Sequence, residues 1–245
     1  MHPLGALAKV AAGVLSLCIA GVACAAVDPG KATAPRMEFV PPAAGSYKLQ
    51  KIQRVADAAL LDSSGHSVKL SALTRSKITL LTFFYTYCVD PLGCPFAHAT
   101  LAALRDRVRG DRALARRVRF VSVSLDPTHD TPEVIANYAK EFTIDPQFDW
   151  RFLTARNVPD LLPVLDDFGQ DVSVEMDANG HASRTLHHML KMFLIDAHGE
   201  VREIYTLSFL QPQVMLNDIK TLAMEPDAPA IQGAGSFAPR DFPAT

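Results

Sequence analysis

Cysteine is scarce in this chain. Only four occur among 245 residues, and two of them, Cys18 and Cys24, lie in an apolar amino-terminal stretch. A framework of several bridges is therefore out of reach, and Cys88 and Cys94 carry whatever thiol chemistry the body of the chain has. An excess of charge of one sign is also missing. With 24 Lys and Arg against 26 Asp and Glu, the net charge is -2. Phosphate backbones are bound by clustered cations, so this balance argues against nucleic acid as a partner. The local run Arg105 to Arg117 is interleaved with Asp106 and Asp111 and reads as a solvated helix face and loop. A Gly-rich phosphate loop, zinc-ligand spacing and a Ser-His-Asp arrangement do not stand out, and there is no internal repeat. Long apolar runs are lacking too: the longest, residues 11–26, has sixteen residues, whereas a membrane span takes about 20.

That short run has Lys9 before it and Ala23 and Ala25 at its end, the features of a secretory signal peptide over residues 1–26. A short retained anchor is the alternative, and a lipid attachment at Cys24 is disfavoured by Gly21, where a larger aliphatic residue is expected. Residues 27–47 and 225–245 are rich in Pro, Ala and Gly. They read as a flexible tether and a disordered tail around one domain, residues 48–224. An exported chain meets an oxidising compartment, periplasmic or beyond, where a lone cysteine pair is oxidised unless it is kept reduced or metallated.

Within the domain the periodicity alternates. Two short strand-like runs flank Ser63-Ser64-Gly65 and predict a hairpin. Ile78 to Tyr87 is a continuous β-branched and aromatic run, as is Val118 to Leu125, and both predict strands buried on two faces. Ala97, Leu101, Leu104 and Val108 share one helical face. Asp130-Thr131-Pro132-Glu133 resembles a capping box with Asp130 as the cap. Residues 157–168 predict a further helix. Lys191 to Asp196 and Val201 to Leu207 predict a hairpin, and residues 211–223 a last helix. Helices that follow buried strands imply a mixed, mostly parallel α/β sheet with right-handed crossovers. The order as a whole is thioredoxin-like: a central mixed sheet flanked by helices, with an N-terminal β-hairpin.

The two thiols fall between the first buried strand and its helix. Cys94-Pro95 opens the helix, whose N-terminus favours thiolate at Cys94. Two thiols at such a junction can form a structural disulfide, alternate between redox states, or hold a soft metal such as Cu(I); an added imidazole extends the site to Cu(II). His187 and His188 are candidates for that imidazole. His98, one turn after Cys94, reads as a flanking surface residue. His66, His129, His181 and His198 read as solvated. Met189 and Met192 are soft donors that core packing explains more simply.

Three blocks give this chain a resemblance to the Sco/SenC family of copper-binding thioredoxin-fold proteins. They are Phe84-Tyr85-Thr86-Tyr87-Cys88 through Cys94-Pro95, Val123 through Glu133 with its Asp-Pro-x-x-Asp-Thr-Pro segment, and His188 through Gly199. The resemblance implies copper bound by Cys88, Cys94 and His188. It also implies delivery to a cuproenzyme acceptor, such as the dinuclear copper centre of a cytochrome oxidase subunit. It leaves open a thiol-disulfide oxidoreductase that keeps acceptor cysteines reduced and draws on a thiol reductant, and a sensor built on the same site. The chain departs from the family at one point, with Cys-x5-Cys-Pro in place of Cys-x3-Cys-Pro. By loop-closure scaling alone the longer loop costs only about 0.3 kcal/mol, and Pro91 and Gly93 can supply the turn.

Overall fold

Continuous apolar runs form the centre of the sheet. The structure is a computed structural model that describes residues 39–176 and 179–226. The signal-peptide reading and almost all of the tail fall outside these residues, as does the tether before Phe39. In chain order, β1 (Gln53–Arg54) is followed by the hairpin β2 (Ala59–Asp62) and β3 (Ser67–Lys69), and by α1 (Leu70–Leu73). Strand β4 (Ile78–Phe84) is buried at every position and leads into α2 (Cys94–Arg109) and α3 (Arg112–Arg117). Next come β5 (Val118–Ser124), α4 (Pro132–Ala139), β6 (Trp150–Thr154) and α5 (Val158–Asp167). A separate hairpin, β7 (Val172–Met176) with β8 (Ala182–His188), precedes β9 (Lys191–Ile195), β10 (Glu200–Thr206) and α6 (Pro212–Met224).

The main sheet has the order β1-β10-β9-β4-β5-β6-β2-β3. Strands β4, β5 and β6 run parallel, while β9 and β2 add antiparallel on either side. The expected thioredoxin-like mixed sheet and the hairpin around Ser63 to Gly65 are both present. In open sheets of this kind, ligands sit beyond the carboxyl ends of the parallel strands, and Cys88 lies just beyond the end of β4.

Helix starts follow from local hydrogen bonding. Asp111 caps α3 by accepting from the amides of Ala113 and Leu114, and Asn157 caps α5 by accepting from Asp160. Pro95 and Pro132 stand in first turns, where a missing N–H costs nothing. Strands β6 and β8 carry no clear pattern in the sequence, β7 alternates but lies outside the elements read from it, and α3 lies in the run read as a solvated helix face and loop.

Residues 42–47 lie against α6. Asn217 Nδ2 donates to the Pro42 carbonyl, the Gly45 amide donates to Thr221, and the Tyr47 hydroxyl donates to Asp218. Asp218 accepts from buried Tyr205 as well. Among the described residues, no helix is long and apolar enough to cross a membrane.

Candidate metal centre

The site begins where β4 ends. After Phe84 the chain turns, with the Cys88 amide donating to the Tyr85 carbonyl. Asp90 shapes the longer loop: its carboxylate accepts from the Leu92 amide and its carbonyl from Gly93. Gly93 is the residue before α2, and a side chain there would crowd its neighbours. A Cβ there would stand 3.2 Å from Cys88 Sγ, 3.2 Å from Asp90 Cβ and 3.3 Å from the Asp90 carbonyl. This close approach brings the two thiols together at the helix start.

Both cysteines are free, Cys88 half-buried and Cys94 buried. Their roles are opposite to the expectation that the helix N-terminus makes Cys94 the thiolate. Cys88 is lowered to about 5, chiefly because the Cys94 thiol donates to it, with the Tyr85 hydroxyl and the Asp90 and Cys94 amides adding to this against partial burial. Cys94 is pushed well above the usual thiol range by that same hydrogen bond and by its burial. These opposite shifts favour the thiolate on the outer sulfur, Cys88, with the shared proton on buried Cys94.

His188 closes β8 and shares with Cys88 a hollow of about 890 Å³, lined also by Tyr85, Asp90 and Met189, while Cys94 lies buried behind it. Its ring lies 6.1 Å from that of Tyr85, centre to centre. Burial lowers its pKa, opposed by the Met189 carbonyl and the charges of Cys88 and Asp90. That keeps the imidazole neutral, the form that ligates metals. His187 lines the same hollow, but its side chain is exposed and lies 3.8 Å from Glu175. Among the described residues, no three His, Cys, Asp or Glu side chains stand gathered in metal-holding geometry. The donors fit a soft ion by their chemistry: a thiolate, a second thiol hydrogen-bonded to it, and a neutral imidazole lining the same hollow as Cys88.

Several other residues differ from their sequence reading. Asp130 does not cap α4; Thr131 does. Asp130 is fully buried and accepts from the Thr86 amide at 3.1 Å, Thr86 Oγ1 at 2.5 Å and Ser124 Oγ at 2.6 Å. It ties the turn before Cys88 to the end of β5. Asp126 orders its own turn by accepting from Thr128 and His129, and also accepts from the Tyr87 hydroxyl at 2.6 Å.

His98 is not a surface residue. It is buried among Phe84, Tyr138, Phe142, Trp150 and Phe152. Its ring nitrogens meet Tyr138 OH at 2.8 Å and Ser122 Oγ at 3.3 Å, and burial lowers its pKa to about 3. His129 is exposed, but its ring packs edge-on against Tyr87. Met192 is core, whereas Met189 is 61% exposed. Tyr85 is the residue the sequence reading passed over; its place three positions before Cys88 was the available signal.

The SCO1/SenC family model matches residues 49–224. A search of curated proteins finds no match. Among solved structures, a SCO1/SenC family lipoprotein from Bacillus anthracis is similar at 26% identity and a TM-score of 0.59, over 70% of this chain and 95% of that one. Arabidopsis thaliana ScoI with copper bound is 21% identical, with a TM-score of 0.58 over 69% of this chain and 96% of that one. BsSco, described as a member of the Sco family of cytochrome c oxidase assembly proteins and as having a disulfide switch, is 19% identical. Its TM-score is 0.57, over 73% of this chain and 98% of that one. At these identities the last two establish likeness of fold.

Proposed function

We propose that this chain, which belongs to the SCO1/SenC family, is an exported copper metallochaperone. It takes copper as cargo on Cys88, Cys94 and His188 and hands it to a cuproenzyme acceptor such as a cytochrome oxidase subunit. The observation that carries this reading is the hydrogen-bonded thiolate–thiol pair whose outer sulfur shares an open hollow with a neutral imidazole. The copper-bound Arabidopsis relative and the oxidase-assembly relative support it by kinship.

Copper arrives at the Cys88 thiolate. The Cys94 proton leaves to solvent as the second sulfur binds, and His188 completes the set from β8. Delivery is ligand exchange: each acceptor ligand that binds replaces one of these donors. Oxidation of both thiols by an external disulfide, which is reduced to a dithiol as Cys88–Cys94 forms, removes two donors at once and would release the ion. The amino-terminal run would export the chain to the periplasm and could keep it at the membrane.

The test is copper titration of the reduced protein, residues 28–245, for wild type, Cys88→Ser, Cys94→Ser and His188→Ala. One equivalent of tightly bound copper, weakened by each substitution, is expected. No specific binding by the wild type, with reactive thiols intact, would overturn the proposal.

A second reading is favoured by the unequal thiols. Cys88 thiolate is the outer nucleophile and buried Cys94 the resolving thiol, the arrangement of a thiol-disulfide oxidoreductase. Cys88 would attack an acceptor disulfide and form a mixed disulfide, releasing one acceptor thiolate. Cys94, losing its proton, would then attack Cys88 Sγ. The acceptor leaves as a dithiol, the Cys88–Cys94 disulfide holds the oxidising equivalents, and a thiol reductant resets it. His188→Ala should spare this activity and weaken copper binding.

A further inference from the structure

Large apolar side chains exposed singly need no explanation, but Met189 stands in a particular place. It is 61% exposed, so core packing does not account for it. Its backbone is held: the carbonyl accepts from buried Gln170 Nε2 at 3.0 Å and meets His188 Nδ1 at 3.3 Å. Met189 helps line the hollow that Cys88 and His188 also line. Among the residues lining that hollow it is the one thioether. A pinned backbone with an exposed, polarizable side chain on the same hollow as Cys88 and His188 is a way to present sulfur to an entering ion.

We propose that Met189 is a further copper ligand of this chain, specific for Cu(I), that binds the ion in this hollow alongside Cys88 and His188. The inference rests on the copper-carrier reading above. A thioether is a soft, neutral donor that suits Cu(I) and adds little for Cu(II). Cu(I) meets Met189 and the Cys88 thiolate first. The thioether stays on the ion as the second sulfur binds, so the loaded site keeps it as a ligand. The ion stays Cu(I) throughout, and no electron moves. On the way out the same thioether holds the ion while acceptor ligands replace the thiolates.

The test uses the full soluble chain, reduced, with methionine methyl groups labelled with carbon-13. Cu(I) is added under competition with a chromophoric chelator, and Cu(II) is added separately. Wild type and Met189→Leu are compared, because leucine keeps the bulk and removes the sulfur. In the wild type the Met189 methyl resonance should shift on Cu(I) addition and stay in place with Cu(II). Met189→Leu should weaken Cu(I) binding by about tenfold, at the lower end of the cost of losing a supporting metal contact. Its Cu(II) affinity and sulfur-to-copper(II) absorption should not change. An unmoved methyl resonance, unchanged Cu(I) affinity, or an equal loss for both oxidation states would each overturn the assignment. If the wild type binds neither ion, the copper-carrier reading itself fails, which is a separate outcome.

Discussion

His98 makes the stability of the domain depend on pH in a way that can be isolated. Its imidazole is buried, both nitrogens are hydrogen-bonded, and the packed rings around it offer no counter-charge. The pKa falls from 6.5 in the open chain to about 3 in the fold. Between these values the unfolded chain binds a proton that the folded protein refuses. Stability is therefore fully present above pH 6.5 and is lost as pH falls toward the folded value. Each pH unit in that window withdraws about 1.4 kcal/mol. From pH 6.5 to about 4.5 the loss is about 2 kcal/mol, a large share of a typical domain's total.

Cys88 acts in the same direction: its thiolate contributes stability that is present above 9 and lost as pH falls through about 5. The comparison therefore belongs in a Cys88→Ser background. There, urea unfolding of His98 and of His98→Gln is followed between pH 7 and about 4.5. The Gln variant costs about 1–3 kcal/mol at neutral pH through its hydrogen bonds. Its pH slope should be shallower by about 1.4 kcal/mol per unit. Parallel pH profiles for the two proteins would refute the reasoning, whatever their offset.

Ultraviolet titration of the thiolate should find a midpoint near 5 for Cys88, rising toward the ordinary thiol value of 9.0 in Cys94→Ala, where the principal donor is lost; a wild-type midpoint near 9 would contradict the shared proton. Gly93→Ala presses a methyl group against Cys88 Sγ and Asp90, so it should slow disulfide formation and cost about 1–3 kcal/mol by overpacking, checked by oxidation kinetics and urea unfolding. Asp130→Ala leaves the Thr86 amide and hydroxyl and Ser124 Oγ without their acceptor and should cost about 3 kcal/mol or more; a change below 1 kcal/mol on the same unfolding curve would show that the turn before Cys88 does not depend on it.

What the sequence makes legible here is what local pattern controls. Strands β4 and β5 read clearly because burial on both faces forces unbroken apolar runs. The hairpin β7–β8 is only half legible: β7 alternates strictly, Val172-Ser173-Val174-Glu175-Met176, but β8 does not, and a short alternating run without a patterned partner is not by itself read as a hairpin. Asp130 illustrates a different limit. Its neighbours make it look like a cap, but it is held by Thr86, 44 positions away, and only the fold brings the two together. His98 was hidden for the same reason. The rings that enclose it come from β4, α4, β6 and the segment after α4, and one helical turn of sequence around it mentions none of them. The thiol pair was visible as a pair, but its inner and outer members were not. Burial and hydrogen bonding at the α2 start outweigh the helix N-terminus there.

His188 does not sit on the main sheet. It ends one arm of a two-stranded ribbon, an arrangement only marginally stable in isolation. The two sulfurs, by contrast, hang from a junction whose strand is hydrogen-bonded on both sides. The donors of the proposed site thus belong to structures of very different stability. Amide hydrogens of residues 182–188 should exchange by local opening, far sooner than those of β4, which wait for the whole domain to come apart. An ion held across such a boundary can be let go one bond at a time, beginning with the imidazole, without any of the core being disturbed.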